Sequence, residues 1–305
     1  MHILIAGATG LIGKELVALC HEEGIKVHYL TTSKSKIQDF NNYKGFYWNP
    51  KEGVIDVKAF EDVTAIINLA GMNVSNRWTP SNRKEIYNSR IDSTNLIFQT
   101  LRDHSNQVTH YVSASAVGIY PPSYTEMYTE ENLEVDHSFL GKVVQDWEAA
   151  ANRFTELGIR VATIRTGVVL DREEGAFPKL VKPIKMGIGS PLGNGKQWMS
   201  WIHIKDIASI YMHCVKEGVQ GVINAVAPSP VTNSYMTKRI AEHLNKQLWA
   251  PKVPRFILRI VLGRMATLAI DGQLVYSDRL KKQGFEFEYV NVDAAIKDLL
   301  KEAVS

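Results

Sequence analysis

Short apolar runs alternate with segments of helical periodicity over the first half of the chain. Six runs have the composition of buried strands, the third being the weakest: residues 2–6, 26–31, 45–48, 65–69, 109–114 and 160–165. Three segments repeat their apolar positions every three or four residues, as amphipathic helices do: residues 11–23, 80–104 and 138–157. Strands separated by helices predict a parallel sheet with right-handed crossovers. The first half is therefore predicted to be an α/β domain with a Rossmann-like, doubly wound sheet.

The second half of the chain is less regular. Residues 175–195 are rich in glycine and proline, and short helical segments with one short strand follow them. Residues 254–268 form a basic, apolar segment, and residues 291–303 have the pattern of an amphipathic helix. We therefore expect a Rossmann domain at residues 1–166, to which some later segments return, and a smaller region at residues 167–305.

Bulk composition narrows the class of protein. The chain has 305 residues, of which 45% are hydrophobic and 22% charged, as in globular proteins. No apolar run reaches the roughly 18 residues of a membrane span, and the first residues lack the features of a signal peptide. The net charge of +3 gives no reason to expect nucleic-acid binding, and the spacing of Cys20 and Cys214 fits no metal site. We expect a cytoplasmic protein without a metal, a membrane or a nucleic acid as partner.

The clearest chemical motif lies directly after the first strand and reads Gly7-Ala8-Thr9-Gly10-Leu11-Ile12-Gly13. Glycine permits a tight turn, a close approach of the backbone to a pyrophosphate, and close packing of the helix on the sheet. The helix that follows offers amides and the positive end of its dipole to an anion. The motif therefore predicts a nucleotide site formed by Gly7, Thr9, Gly10, Leu11, Ile12 and Gly13.

The GxxGxxG spacing resembles that of the extended short-chain dehydrogenases/reductases, the NAD(P)-dependent epimerase/dehydratase family. Four longer stretches resemble one atypical bacterial subgroup, the "epimerase family" proteins described as nucleoside-diphosphate-sugar epimerases: "NRWTPSNRKEIYNSRIDST", "SASAVGIY", "RTGVVL" and "GNGKQWMSWIHIKD". The subgroup carries a small C-terminal domain of unknown function, matched here at about residues 251–300. The resemblance implies a Rossmann fold with a smaller C-terminal, substrate-side domain, and a nicotinamide dinucleotide as cofactor.

The end of the second strand bears on which dinucleotide binds. NAD sites place a carboxylate there for the ribose 2′-hydroxyl, whereas NADP sites offer hydroxyls or positive charge to the 2′-phosphate. Residues 28–36 contain no carboxylate but include Thr32, Ser33 and Lys34. We therefore favour NADP(H), with NAD(H) as the alternative. The resemblance further implies that the turn after the fourth strand, with Leu69, Ala70 and Gly71, lies near the adenine and ribose.

The resemblance also implies a Ser/Thr–Tyr–Lys arrangement, in which the tyrosine and the lysine stand four residues apart on one helix face. Of the twelve tyrosines only Tyr47 has a lysine at that spacing, and Pro50 interrupts the segment. In the helix expected to carry the pair, Phe139 and Val143 stand near the two positions, in an apolar stripe with Trp147 and Ala150. The chain therefore lacks the family's catalytic pair.

Three other residues are candidates for proton transfer: Ser115, Tyr120 and Lys142. Ser115 ends a strand where the family keeps its catalytic serine or threonine. Lys142 has an alternative interpretation as a surface lysine paired with Asp146, four residues away. Tyr120 can alternatively be interpreted as a loop aromatic that covers the cofactor. Arg165, at the end of a strand, is more simply explained as an ion-pair partner than as a catalyst.

Weaker candidates for substrate contacts are Arg77, Trp78, Trp198 and His203. The alternatives are a solvated basic face, packed aromatics and a core histidine. Two functions fit these observations. One is an NAD(P)(H)-dependent epimerase or oxidoreductase acting on a nucleotide sugar or another carbonyl or hydroxyl compound. The other is a non-catalytic NADPH-binding sensor or regulatory protein. The family's dimerising helices are present, so a homodimer is also considered.

Overall fold

The computed structural model describes residues 1–301, and the end of the helix predicted at residues 291–303 lies outside them. The chain divides into two compact units. The first contains Met1–Ala116, Ser138–Arg165 and Ala208–Ile223; the second contains Val117–His137, Thr166–Ile207 and the chain from Asn224 onward. The domain limits drawn from the sequence stay a prediction.

The strands are mostly short. In chain order they are β1 (His2–Ala6), β2 (Lys26–Thr31), β3 (Asp39–Phe40), β4 (Tyr43–Asn49), β5 (Val54–Ile55), β6 (Ala65–Asn68), β7 (His110–Ala116), β8 (Met127–Tyr128), β9 (Arg160–Thr166), β10 (Val168–Leu170), β11 (Trp198–Met199), β12 (Trp201–His203), β13 (Gly221–Ala225), β14 (Val231–Thr232) and β15 (Leu274–Val275).

Within residues 1–301, nine of these strands form one sheet in the order β13-β9-β7-β6-β1-β2-β4-β3, with β5 beside β4. β1 pairs in parallel with β2 on one side and with β6 on the other, so the direction of winding changes at β1. Ile3, Leu4 and Ile5 are fully buried, as expected of a strand covered on both faces. The predicted Rossmann-like fold is confirmed. The turns after β1 and β6 meet at the switch point, where such sheets bind ligands.

The helices flank this sheet or belong to the second unit. They are α1 (Leu11–Glu22), α2 (Pro80–Asp103), α3 (Phe139–Asn152), α4 (Phe177–Lys185), α5 (Ile204–Lys216), α6 (Asn233–His243), α7 (Arg255–Leu262), α8 (Thr267–Ile270), α9 (Asp278–Lys282) and α10 (Val292–Leu300). Thr79 and Ser138 cap α2 and α3 by accepting a hydrogen bond from the backbone three residues on. Local sequence therefore fixes where both helices begin.

The second unit contains small sheets in place of one large one. β10 pairs with β12, β11 with β14, and β15 with β8. A buried cluster packs β10 and β12 against the helices α4, α6 and α10, and its members include Phe177, Trp201, Met236, Tyr289 and Ile296. None of the helices among the described residues combines the length and the apolar character needed to cross a bilayer.

Candidate functional site

Three glycines shape the turn between β1 and α1. Gly7 has a φ of +90°, and a Cβ atom there would lie 3.0 Å from the carbonyl carbon of Leu69. A Cβ atom on Gly13 would lie 2.2 Å from the carbonyl oxygen of Gly7, so a larger residue would push α1 away from the turn. Gly10 is the N-cap of α1 and has no side chain, so it leaves the first helix amides open to an external acceptor. This turn fits a pyrophosphate group, since it joins close backbone approach to a helix N-terminus.

The neighbouring turn, after β6, is held by the buried amide of Asn68. Its Oδ1 accepts a hydrogen bond from the Ala70 backbone at 3.1 Å. Its Nδ2 donates to the Tyr111 hydroxyl at 2.8 Å and to the Thr94 hydroxyl at 3.3 Å. Burial raises the pKa of Tyr111 to about 12, so the phenol stays neutral. One side chain thus joins β6, β7 and α2, and orients the turn that contains Leu69, Ala70 and Gly71.

Helix α2 braces the same turn from the other side. The Met72 backbone donates to the Ser89 hydroxyl at 2.9 Å, and the Arg90 guanidinium donates to the Met72 carbonyl at 3.1 Å. Arg90 also lies over the Trp147 ring, 5.0 Å from its centroid. Burial lowers the pKa of Arg90 to about 10. This brace was not predicted from the sequence, because it joins Arg90 to a backbone carbonyl 18 residues away.

The end of β2 offers hydroxyls and positive charge. The Thr31 hydroxyl accepts a hydrogen bond from the Ser33 backbone at 3.2 Å, which turns the chain sharply. Thr32 and Lys34 are exposed beyond it, and the Lys34 ammonium lies 5.1 Å from the centroid of the Tyr47 ring. The next carboxylate along the chain, Asp39, is paired with Lys44 at 3.2 Å. The arrangement fits an added phosphate, because nothing in residues 32–38 would repel one.

Helix α3 presents the apolar stripe that the sequence predicted. Val143, Trp147 and Ala150 are buried. Phe139 is half-buried, packs edge-on against Trp78 with ring centroids 5.4 Å apart, and receives the Arg83 guanidinium 4.3 Å from its centroid. Phe139 and Val143, which stand near the positions where the resemblance places Tyr and Lys, are therefore packing residues.

Lys142 lies beside this stripe, at the surface. Its ammonium forms an ion pair with Asp146 at 2.8 Å, and its side chain is 67% exposed. The Tyr87 hydroxyl donates to the other carboxylate oxygen at 2.8 Å. The hydrogen bond from Lys142 lowers the pKa of Asp146 and in turn raises that of Lys142. The ion pair predicted as the alternative for Lys142 is present.

Ser115 is part of a buried network with one carboxylate. Its hydroxyl donates to Glu148 Oε1 at 2.6 Å. Arg165 donates to both oxygens of Glu148, from Nε at 2.8 Å and from Nη2 at 2.9 Å. The ion-pair role predicted for Arg165 is confirmed, whereas Glu148 was missed. The signal was a carboxylate four residues after Val144 on the buried face of α3.

Tyr120 belongs to the second unit and is fully buried. Its hydroxyl lies 2.9 Å from the Thr129 carbonyl and 2.9 Å from Oδ1 of Asn224. Its ring stacks on that of Tyr128 with centroids 5.0 Å apart. Tyr120, predicted as a proton-transfer candidate with a cofactor-covering loop aromatic as the alternative, is thus enclosed by polar partners of its own unit.

The four weaker candidates have different surroundings. In the first unit Arg77 is exposed, and Trp78 is half-buried with its indole donating to the Val74 carbonyl at 2.9 Å. In the second unit Trp198 donates to the Tyr124 carbonyl at 2.9 Å. His203 is 1% exposed and stacks on Tyr289 with centroids 3.7 Å apart, so it lies outside any ligand-accessible surface. His203 therefore has the surroundings of a core histidine.

Comparison with known families agrees with this geometry. Residues 3–226 match the model of the NAD dependent epimerase/dehydratase family. The chain belongs to that family. Residues 253–299 match a second model, a domain of unknown function (DUF1731), which overlaps the C-terminal domain expected at about residues 251–300. The resemblance stated from the sequence motifs is confirmed.

Individual relatives extend over nearly the whole chain. A chloroplastic epimerase family protein SDR39U1 homolog of Arabidopsis thaliana is 36% identical over 99% of this chain and 87% of its own length. The epimerase family protein SA0724 of Staphylococcus aureus is 33% identical over 98% of this chain and 99% of its own. The crystal structure of human SDR39U1 with NADPH superposes with a TM-score of 0.86 at 30% identity, covering 98% of this chain and 99% of that one.

Replacing Glu148 by alanine should destabilise the protein by about 3 kcal/mol, because it removes the carboxylate that is paired with the buried Arg165 cation. Urea unfolding of the whole chain measures the loss. The matched control is Asp146→Asn on the same helix, whose exposed pair with Lys142 should contribute less than about 1 kcal/mol. Equal losses for the two variants would contradict a structural role for the Glu148 network.

His203 should make stability fall at acid pH. Burial lowers its pKa from an ordinary 6.5 to about 4, although Asp298 opposes the shift. In the unfolded chain the His203 imidazole is therefore protonated below about pH 6.5, whereas in the folded chain it is protonated only below about pH 4. The free energy of unfolding should drop by about 3 kcal/mol across this window, at about 1.4 kcal/mol for each pKa unit. Unfolding curves of His203→Gln should show a correspondingly smaller drop, and parallel curves would refute the assignment.

Proposed function

We propose that this protein binds NADP(H) in preference to NAD(H), and that it uses the cofactor in an oxidoreductase or epimerase reaction of the extended short-chain class. The observation that carries the cofactor preference is the end of β2, where Thr32, Ser33 and Lys34 stand without a carboxylate. The human relative at 30% identity was crystallised with NADPH, which supports the same preference.

The cofactor would be held by residues of the first unit. The amides at the start of α1, with Gly7, Thr9, Gly10, Leu11, Ile12 and Gly13 around them, would bind the pyrophosphate. Thr32, Ser33 and Lys34 would bind the 2′-phosphate, and the turn of Leu69, Ala70 and Gly71 would border the adenosine. When bound, the nicotinamide supplies hydride exchange with a carbon that carries a hydroxyl or carbonyl group.

Ser115 would orient the substrate by accepting a hydrogen bond. Its own proton points to Glu148 at 2.6 Å, so its remaining lone pairs are available to a donor such as a sugar hydroxyl. Glu148 and Arg165 would act as positioning residues, because they keep the Ser115 proton directed at Glu148 and its lone pairs directed away. The substrate class proposed is a nucleotide sugar or another small carbonyl or hydroxyl compound, and Arg77 and Trp78 of the first unit are the candidates for contacts with it.

A second candidate function is that of a non-catalytic NADPH-binding sensor or regulator. One observation favours it: Phe139 and Val143 pack where the family would carry Tyr and Lys, and Lys142 beside them is paired with Asp146. This candidate shares the cofactor site and differs only in lacking turnover.

Titration of the purified protein should give a Kd for NADPH at least about tenfold lower than for NADH, because the 2′-phosphate gains contacts at the end of β2. Lys34→Glu should raise the Kd for NADPH by about tenfold and leave that for NADH nearly unchanged. Lys26→Glu, at the opposite end of the same strand, is the charge-matched control. Tighter binding of NADH than of NADPH by the unaltered protein would rule out the preference.

Turnover separates the two candidates. The purified protein is assayed in two ways: by loss of NADPH absorbance with a panel of small carbonyl compounds, and by chromatography of the products from a panel of nucleotide sugars incubated with NADP⁺. The second assay is needed because an epimerase returns the hydride it takes and leaves no net change in absorbance. An enzyme should convert at least one of these compounds, and Ser115→Ala should lower kcat by roughly 100-fold without changing the Kd for NADPH. Ser113→Ala, on the same strand, serves as control. Tight NADPH binding without turnover on the whole panel would favour the sensor.

A further inference from the structure

Helix α7 exposes a continuous apolar stripe to solvent. Phe256 is 63% exposed, Ile257 40%, Ile260 74% and Val261 67%. Their positions differ by one, four and five residues, so the four side chains share one face of the helix. Single exposed apolar residues are common, but a contiguous group of four large ones on one helix face is typical of an interaction surface.

The helix is held with this face outward. Its opposite side places Leu258 in a small buried cluster with Ala266 and Ile270, against which the half-buried Leu262 and Val253 pack. Because Leu258 and Leu262 are committed to that cluster, α7 cannot roll to hide the stripe without exposing them. The exposed stripe is therefore a stable feature of the second unit.

The segment that carries the stripe is basic. Residues 251–270 contain Lys252, Arg255, Arg259 and Arg264, and no aspartate or glutamate. Asp271 follows them, so the segment keeps a charge of +3 even when that carboxylate is counted. Arg255 is partly engaged, since its guanidinium donates to the Tyr124 hydroxyl. Arg259 and Arg264 are exposed. An occupant of this surface must therefore be both apolar and anionic.

We propose that α7 docks this protein onto the surface of an anionic phospholipid bilayer. Helices that lie in the bilayer interface combine an apolar face of Phe and aliphatic residues with flanking Lys and Arg, which attract anionic headgroups. Trp249, exposed shortly before α7, is a residue type enriched at that interface. With eight residues α7 lies on the membrane and does not cross it.

Charge and shape argue against the other occupants. A second copy of the chain would bring the same basic surface against itself, and like charges across an interface oppose association. An acidic protein would satisfy the charge, but the stripe is one convex helix face without polar groups to specify a partner's hydrogen bonds. A fluid bilayer needs neither a complementary groove nor fixed hydrogen bonds.

Flotation of the full chain with vesicles tests the proposal. Binding is expected to phosphatidylcholine vesicles that contain phosphatidylglycerol, and at least about tenfold weaker binding to phosphatidylcholine alone. Binding should fall when NaCl is raised from about 0.1 M to about 1 M. Ile260→Ser with Val261→Ser, and separately Arg259→Gln with Arg264→Gln, should each reduce binding about tenfold or more. Leu133→Ser, which removes an apolar side chain that is 91% exposed elsewhere in the second unit, should have no effect.

Three results would overturn the proposal. The first is no binding to either kind of vesicle. The second is vesicle binding that the Ile260→Ser/Val261→Ser variant retains in full. The third is sedimentation as a dimer that this variant abolishes, without vesicle binding, which would assign the stripe to a second copy. Because all the altered residues are exposed, each variant should keep its fold, and urea unfolding of each variant checks this independently of the membrane result.

Discussion

The geometry of the turn between β1 and α1 depends on the absence of a side chain at Gly13. The start of α1 passes so close to the end of β1 that a Cβ atom would stand 2.2 Å from the Gly7 carbonyl oxygen. This approach directs the amides at the start of α1 toward the carboxyl edge of the sheet, where the winding reverses. Gly7 is constrained in the same way, because a side chain there would collide with the backbone of Leu69 in the turn after β6. Asn68 then fixes that second turn by three hydrogen bonds.

Along this edge of the sheet, the group proposed to bind the pyrophosphate is neutral, whereas the group proposed to bind the additional phosphate is positively charged. At the start of α1 the ligand would meet backbone amides, which are neutral and bind any pyrophosphate. At the end of β2 it would meet Lys34 and the hydroxyls near it, which favour an additional phosphate. Asp39 is the first carboxylate along the chain after Lys34, and it forms an ion pair with Lys44. A preference between two dinucleotides can thus rest on a few exposed residues while the rest of the turn serves both.

The sequence predicted most of the sheet and the glycine-rich turn after β1, because both depend on local pattern. Apolar runs gave β1, β2, β6, β7 and β9, and the glycine spacing located the turn. Two-residue strands such as β3 and β8 were not predicted, since two residues are too few to show a periodic pattern. The link of Ser115 to Glu148 also escaped, because it joins residues 33 positions apart. Helix α7 illustrates the general limit: its amphipathic pattern is visible in the sequence, but only packing reveals which apolar residues remain exposed.

Proton supply is the point at which this chain departs from the pattern of its family. A tyrosine that donates protons near neutral pH needs nearby positive charge to lower its pKa. Here the face of α3 around Val143 and Trp147 is apolar, and Asp146 holds Lys142 as a charged surface residue. Tyr120 is enclosed by partners of its own unit. Ser115 already donates its proton to Glu148. These side chains therefore offer an acceptor to a substrate hydroxyl but no activated donor, so a reduction here would have to draw its proton from the substrate or from water.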